Sequence, residues 1–210
     1  MQSKGNELIT LAQRIRAMSQ TALTYSSNEY EIDRSKEFIE ISERITSIVS
    51  GVSEEEISAC YNPIKEYVTP KVDIRAVIFN DKDEILLVKE KADGRWALPG
   101  GWSDVGFTPT EIVVKEAKEE TGFDVRVVRL LAILDKRCYN HPASSFYIYK
   151  LCFLCEITGG ADELTFDILD KGFFALDNLP PLSLDRILPE QIELLDKLRH
   201  SPAETKVYCD

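Results

Sequence analysis

No run of apolar residues in this 210-residue chain approaches the roughly 20 needed to cross a bilayer, and the opening MQSKGNELIT lacks the basic-then-apolar order of a secretory leader. A cytoplasmic protein without membrane contact is the expectation. Cysteine is sparse and odd in number, at 60, 138, 152, 155 and 209, which argues against a paired disulfide framework and fits a reducing compartment. Cys152 and Cys155 have C-x-x-C spacing, but they lie in LCFLCEI, which reads as a strand. Residues three apart on a strand point to opposite faces, so both are expected in the core rather than on one metal. His141 and His200, the two histidines, are lone residues and are not expected to make a metal site. Basic charge is short as well: 25 Lys and Arg face 36 Asp and Glu, for a net charge of −11. That balance argues against a general nucleic-acid binder, since neutralising a phosphate backbone takes a basic surface. A small anionic ligand remains compatible if a divalent cation stands between it and clustered carboxylates. No internal repeat or low-complexity tract occurs.

What is present divides in two. From Asn6 to about Cys60 apolar residues recur at spacings of three and four: Leu8, Leu11, Ile15, Met18 and Ala22, then Phe38, Ile41, Ile45 and Ile48. Asn28 is placed to cap a second helix that Gly51 ends, and Ser53 to Glu56 to open a third with a capping box. A helical hairpin this small cannot bury its apolar faces alone, so it should pack on the rest of the chain or on a second copy. The division predicted is an all-α region at 1–62, a linker at 63–70 and an α/β domain with a mixed sheet at 71–210. KVDIRAVIF and EILLV read as strands joined by an NDKD turn, VRVVRLLAIL and SFYIYKLCFLCEI as longer strands, and PEQIELLDKLRH as a closing helix with Pro189 in its first turn.

The stretch LPGGWSDVGFTPTEIVVKEAKEETGF carries the chemistry. Thr108, Pro109 and Glu111 form a capping box, and Gly122 a C-cap, around a helix over about 109–121. Glu116, Glu119 and Glu120 fall at i, i+3 and i+4, three like charges within one turn. Such a cluster is either a solvated face or a cation site. The preceding Gly100-Gly101 turn favours the cation, because glycine lets backbone carbonyls approach a hard ion such as Mg²⁺ and a ligand behind it.

These residues resemble the Nudix box: glycine, five residues, glutamate, seven residues, then Arg-Glu-aliphatic-x-Glu-Glu-x-Gly-aliphatic. Counting from Gly101 gives Phe107 and then Lys115-Glu116-Ala117-Lys118-Glu119-Glu120-Thr121-Gly122-Phe123. The likeness extends over roughly residues 68–200. It implies an α/β/α sandwich around a mixed sheet and Mg²⁺- or Mn²⁺-dependent hydrolysis of a nucleoside diphosphate linked to X. The metal ligands it implies are Glu116, Glu119, Glu120 and the Gly101 carbonyl. The helical region followed by GGW-x-DVG-F-TPTE resembles a bacterial subgroup acting on CDP-choline or ADP-ribose. CDP-choline, cut to CMP and phosphocholine, is the first substrate expected and ADP-ribose or a nucleotide sugar the second. A non-catalytic nucleotide-sensing module is the alternative, and a homodimer is the expected assembly.

Two positions depart from the box. Phe107 replaces its first glutamate and Lys115 its arginine, so Glu111, four residues before Lys115, is expected to pair with it and either to cap the helix or to orient water. Glu111, Glu119 and Lys115 are thus the catalytic candidates. The segment GGADELTFDILDKGFF offers further acids at Asp162, Glu163, Asp167 and Asp170. Arg75, sharing a strand face with Asp73, is either a phosphate contact or half of an ion pair. Gly100, Trp102 and Tyr139 complete the expected substrate contacts, with Trp96, His141, Phe146 and Tyr147 as other rings near the loops.

Overall fold

A computed structural model describes residues 4–61, 67–104, 106–161, 168–202 and 206–210. Three helices come first, α1 (Lys4–Tyr25), α2 (Glu29–Ser50) and α3 (Glu54–Ala59). The Asn28 side chain accepts from the Tyr30 and Glu31 amides, Gly51 closes α2 with a left-handed φ of 74°, and Ser53 and Glu56 form the expected capping box. Much of the apolar stripe is exposed in the single chain. Small residues, Ala12, Ser19, Ser35, Ser42 and Thr46, are buried in the helical region, while Leu8, Leu11, Met18, Phe38, Ile41 and Ile48 are exposed, Ile48 by 75%. Small side chains let α1 and α2 approach closely, which leaves the large ones on the outside.

The chain forms two compact units, Met1–Lys71 with Arg137–Ile148, and Val72–Lys136 with Tyr149–Asp210. The first takes in a segment that the sequence had assigned to the α/β domain. Side chains of the helical region hold it: Asn6 Nδ2 donates to the His141 carbonyl at 3.3 Å, Gln13 Nε2 to Ser144 at 2.8 Å, and the Tyr61 hydroxyl to Ser145.

After the three helices come β1 (Lys71–Ile78), β2 (Ile85–Glu90), β3 (Trp96–Ala97), β4 (Gly100–Trp102), α4 (Pro109–Thr121), β5 (Phe123–Asp135), β6 (Ile148–Gly160), β7 (Ile168–Phe174), α5 (Pro189–Arg199) and β8 (Tyr208–Cys209). One sheet has the order β4-β1-β6-β5-β8 and is mixed, because β8 lies parallel to β5 while β4 and β6 pair antiparallel to β1 and β5 respectively. The other has the order β3-β2-β7. The NDKD segment makes a tight turn with Asp83 at φ 60°, yet β1 and β2 keep one bridge, Phe79 to Ile85, and then part into different sheets. The core joins Ile74, Ala76 and Ile78 of β1 to Ile112, Val113 and Ala117 of α4, with Val125, Phe153 and Cys155. Cys152 and Cys155 are both buried, and burial pushes each thiol up to about 12, which keeps them protonated and inert.

Candidate active site

The site begins where β4 lies against β1 at the edge of the sheet. Ile74 stands opposite Gly101 and Arg75 opposite Gly100. Flanking bonds from Ala76 N–H to Pro99 and from Ser103 N–H to Val72 mark 99, 101 and 103 as the ladder positions. Ile74 and Gly101 are therefore the hydrogen-bonded pair between them, and Gly101 turns its N–H and carbonyl into β1. Peptide planarity then directs the Gly100 carbonyl the opposite way, off the sheet edge. The Gly100 N–H lies on that side too and donates to Glu120 Oε2 at 2.7 Å. The carbonyl available to a cation is thus that of Gly100, one residue before the one expected from the motif. Gly100 has a φ of 138°, and a Cβ there would fall 2.0 Å from the Ile74 carbonyl oxygen. At Gly101 a Cβ would lie 3.2 Å from Glu116 Oε2, crowding that carboxylate.

Helix α4 brings the acids to this strand. Thr108 caps it, with the Thr108 hydroxyl accepting from the Glu111 amide and Glu111 Oε2 accepting from the Thr108 amide at 2.7 Å. Glu116 and Glu120 stand one turn apart on the face toward the glycines, and Ile112, Val113 and Ala117 bury the adjoining face. Glu119 stands farther out, sharing the Lys115 Nζ with Glu116. It is 57% exposed and lies 3.5 Å from the Lys115 Nζ. Among the described residues no three ligating side chains are gathered at one point. The two carboxylates that the structure places against the glycine turn are Glu116 and Glu120.

The expected Glu111–Lys115 pair is absent, because each partner is engaged elsewhere. The Glu111 carboxylate is taken by the Thr108 amide and hydroxyl, which hold its pKa below the ordinary range. Five residues also separate it from Glu116, about 140° around the helix axis. Lys115 instead reaches Asp104 Oδ2 at 3.2 Å, Glu119 at 3.5 Å and Glu116 at 3.8 Å, with its Nζ 6.0 Å from the Phe107 ring centroid. Asp104 went unnoticed in the sequence, since nothing in its spacing links it to a residue eleven positions later on a helix.

Burial dominates the electrostatics. It raises the Glu116 carboxyl, with Lys115 opposing the shift, and pushes Glu120 up to about 8, against the opposing charge of Arg75 and the bond from Gly100. Two partly buried acids with raised pKa values, a crowded glycine cradle and an outward carbonyl form a hard-oxygen donor set suited to a divalent cation.

The remaining candidates scatter. Arg75 is only 6% exposed and donates to Asp73 at 2.9 Å and to the Leu98 carbonyl at 2.8 Å, so it belongs to a buried ion pair and is not presented to phosphate. Trp102 is 48% exposed beside the glycines. Tyr139 belongs to the helical unit, its ring 6.3 Å from that of His141. Trp96 packs edge-on to Phe174 at 4.7 Å, and Phe146 lies under Lys71. Asp170 is exposed on β7, while Asp162, Glu163 and Asp167 fall outside the described residues.

Residues 69–198 match the NUDIX domain. The chain belongs to the Nudix hydrolase family. Residues 6–61 of this Nudix hydrolase match a second family, described as a UDP-X-like, N-terminal oligomerisation domain. It is 40% identical over 195 residues to the putative ADP-ribose pyrophosphatase YjhB of Bacillus subtilis, covering 92% of this chain and 93% of that protein. A crystal structure of a UDP-X diphosphatase superposes with a TM-score of 0.63 at 35% identity, covering 99% of this chain and 100% of that one. An ADP-ribose pyrophosphatase from Streptococcus suis 89-1591 is 44% identical with a TM-score of 0.60, covering 68% of this chain and 100% of its own. Nudix hydrolases generally use divalent metals, and the donor set around Glu120 fits one. No helix among the described residues is long and apolar enough to cross a membrane.

Proposed function

We propose that this Nudix hydrolase cleaves ADP-ribose at its pyrophosphate with Mg²⁺ or Mn²⁺ held by Glu116, Glu120 and the Gly100 carbonyl. The observation that carries the site is the convergence of two partly buried carboxylates on the glycine turn. The names of the Bacillus and Streptococcus relatives support ADP-ribose over the CDP-choline expected first from the box. A cation bound there supplies Lewis-acid polarisation of the phosphoryl oxygens and lowers the pKa of a coordinated water. The chain's own part is to hold those ligands in place. Lys115 keeps Glu119 and Asp104 together at the rim and adds positive charge where a pyrophosphate arrives, and Trp102 offers a half-exposed ring for a base.

CDP-choline remains the second substrate, on the box sequence around Phe107. Purified full-length protein incubated with ADP-ribose, CDP-choline and a UDP-sugar, with Mg²⁺, Mn²⁺ or chelator, decides between them by the mononucleotide released. AMP with the chelator-sensitive highest kcat/KM supports the reading, whereas CMP reverses the order. Nucleotide binding without turnover of any substrate identifies a sensing module instead.

We also propose that the protein is a homodimer joined through its helical region. The exposed apolar residues of α1 and α2 support this, as does the oligomerisation description of the matching family.

A further inference from the structure

An arginine buried in mid-strand costs desolvation unless it is paired, and Arg75 donates to two segments and forms an ion pair with a third. Nε donates to Asp73 on its own strand, Nη1 donates to the Leu98 carbonyl, and Nη1 lies 3.9 Å from Glu90 Oε1 at the end of β2. Leu98 is two residues before Gly100, and Gly100 stands directly across the ladder from Arg75. A planar, rigid group therefore fixes the chain just ahead of the carbonyl and N–H that face Glu120. Asp73 is itself held from the other side by Lys150, a fully buried lysine on β6. On α4, by contrast, the position where the Nudix pattern carries arginine is Lys115, 34% exposed and turned to Asp104 and Glu119.

We propose that Arg75 is the positioning residue of the cation site. From β1 it provides the guanidinium support that the box no longer provides from the helix, by clamping the Leu98–Gly100 turn against Glu120. This rests on the reading that Glu116 and Glu120 hold the cation. Lysine at 75 would keep the charge but could not bind Asp73 and the Leu98 carbonyl together in the same fork, so geometry and charge are separable.

The test uses full-length Arg75→Lys, Arg75→Met, Glu120→Gln and, as a control for general loss of a buried cation, Lys136→Met. Lys136 is 7% exposed and pairs with Asp185 at 2.6 Å. Folding is followed by circular dichroism, and Mn²⁺ affinity without substrate by electron paramagnetic resonance. Removing an outer-sphere partner typically weakens metal affinity about 10–100-fold, and that loss is expected for both Arg75 variants. Lys136→Met is expected to lower Tm and leave Mn²⁺ affinity unchanged. If Arg75→Met does not fold, Arg75→Lys against Lys136→Met carries the comparison. Wild-type Mn²⁺ affinity in folded Arg75→Lys overturns the proposal, as does an equal loss in Lys136→Met. Retained affinity in Glu120→Gln overturns the carboxylate reading itself, a result distinct from either.

Discussion

The Gly100 backbone N–H donates to Glu120 Oε2 at 2.7 Å, joining the edge strand to the helix at the point where the cation ligands meet. Glutamine at 120 can still accept that bond through its side-chain oxygen, so the substitution removes charge and spares the joint. Glu120→Gln and Glu116→Gln are each expected to fold normally and to lose at least about a hundredfold in metal-dependent kcat, the scale seen when a transition-state charge partner is removed. Steady-state kinetics on the best substrate beside a thermal melt checks this. Wild-type turnover in the double variant would place the metal elsewhere.

The raised Glu120 carboxyl makes metal-free stability fall with pH. Folding shifts this group from its ordinary 4.5 to about 8, chiefly through burial. Between those values the folded chain keeps a proton that the unfolded chain has released, so protonation favours folding there and the advantage fades as pH rises through about 8. Glu116 moves in the same direction. With metal removed by chelator, Tm should drop more steeply between pH 5.5 and 8.5 for wild type than for Glu120→Gln, and added Mg²⁺ should release protons and restore the wild-type loss. Parallel Tm profiles for the two proteins would show that Glu120 is not buried as the structure has it.

Local rules made α4 legible before any coordinates. Thr108, Pro109, Glu111 and Gly122 delimit it because caps act within a few residues, and Asn28, Gly51 and Ser53 do the same for the N-terminal helices. What escaped depended on partners distant in sequence. Lys115 lies within reach of Glu111 by helical spacing, but Asp104 competes for it and the Thr108 amide competes for Glu111, and neither rivalry has a periodic signature. The ladder register that turns the Gly101 carbonyl into β1 is fixed by bonds to Val72 and Pro99, so the motif alone could not distinguish it from Gly100. The stripe from Leu8 to Ala22 is legible as apolar, but whether the rest of the chain or a second copy covers it is not, since periodicity identifies a face without saying what packs on it.

Glu111 should behave as a cap and not as a base. Thr108→Ala, which leaves the helix start without its hydroxyl, is expected to cost about 1 kcal/mol of stability. Glu111→Ala should lower Tm by less than that change, since the Thr108 hydroxyl still satisfies the Glu111 amide. Its kcat/KM at saturating Mg²⁺ should stay within about twofold of wild type, since the carboxylate lies on a different face from Glu116 and Glu120. A drop in kcat of more than tenfold, with Tm little changed and an altered acid limb of the pH–rate profile, would return Glu111 to the catalytic machinery.

The exposed apolar residues of α1 and α2 set the last expectation, because burying them requires a second surface. Met18 is 69% exposed and Ile48 75%, and Leu11 and Ile41 are each exposed by more than 40%. These side chains are each more than two-fifths exposed in the single chain, so charging them should leave the fold intact while opposing association. Met18→Asp combined with Ile41→Asp is expected to weaken a wild-type dimer by at least about thirtyfold, roughly 2 kcal/mol, the range for central interface residues. Sedimentation velocity across a dilution series measures it, with circular dichroism confirming retained helix. A wild-type monomer at high micromolar concentration would remove the dimer outright. A double variant that stays dimeric with unchanged affinity would move the interface away from these two helices.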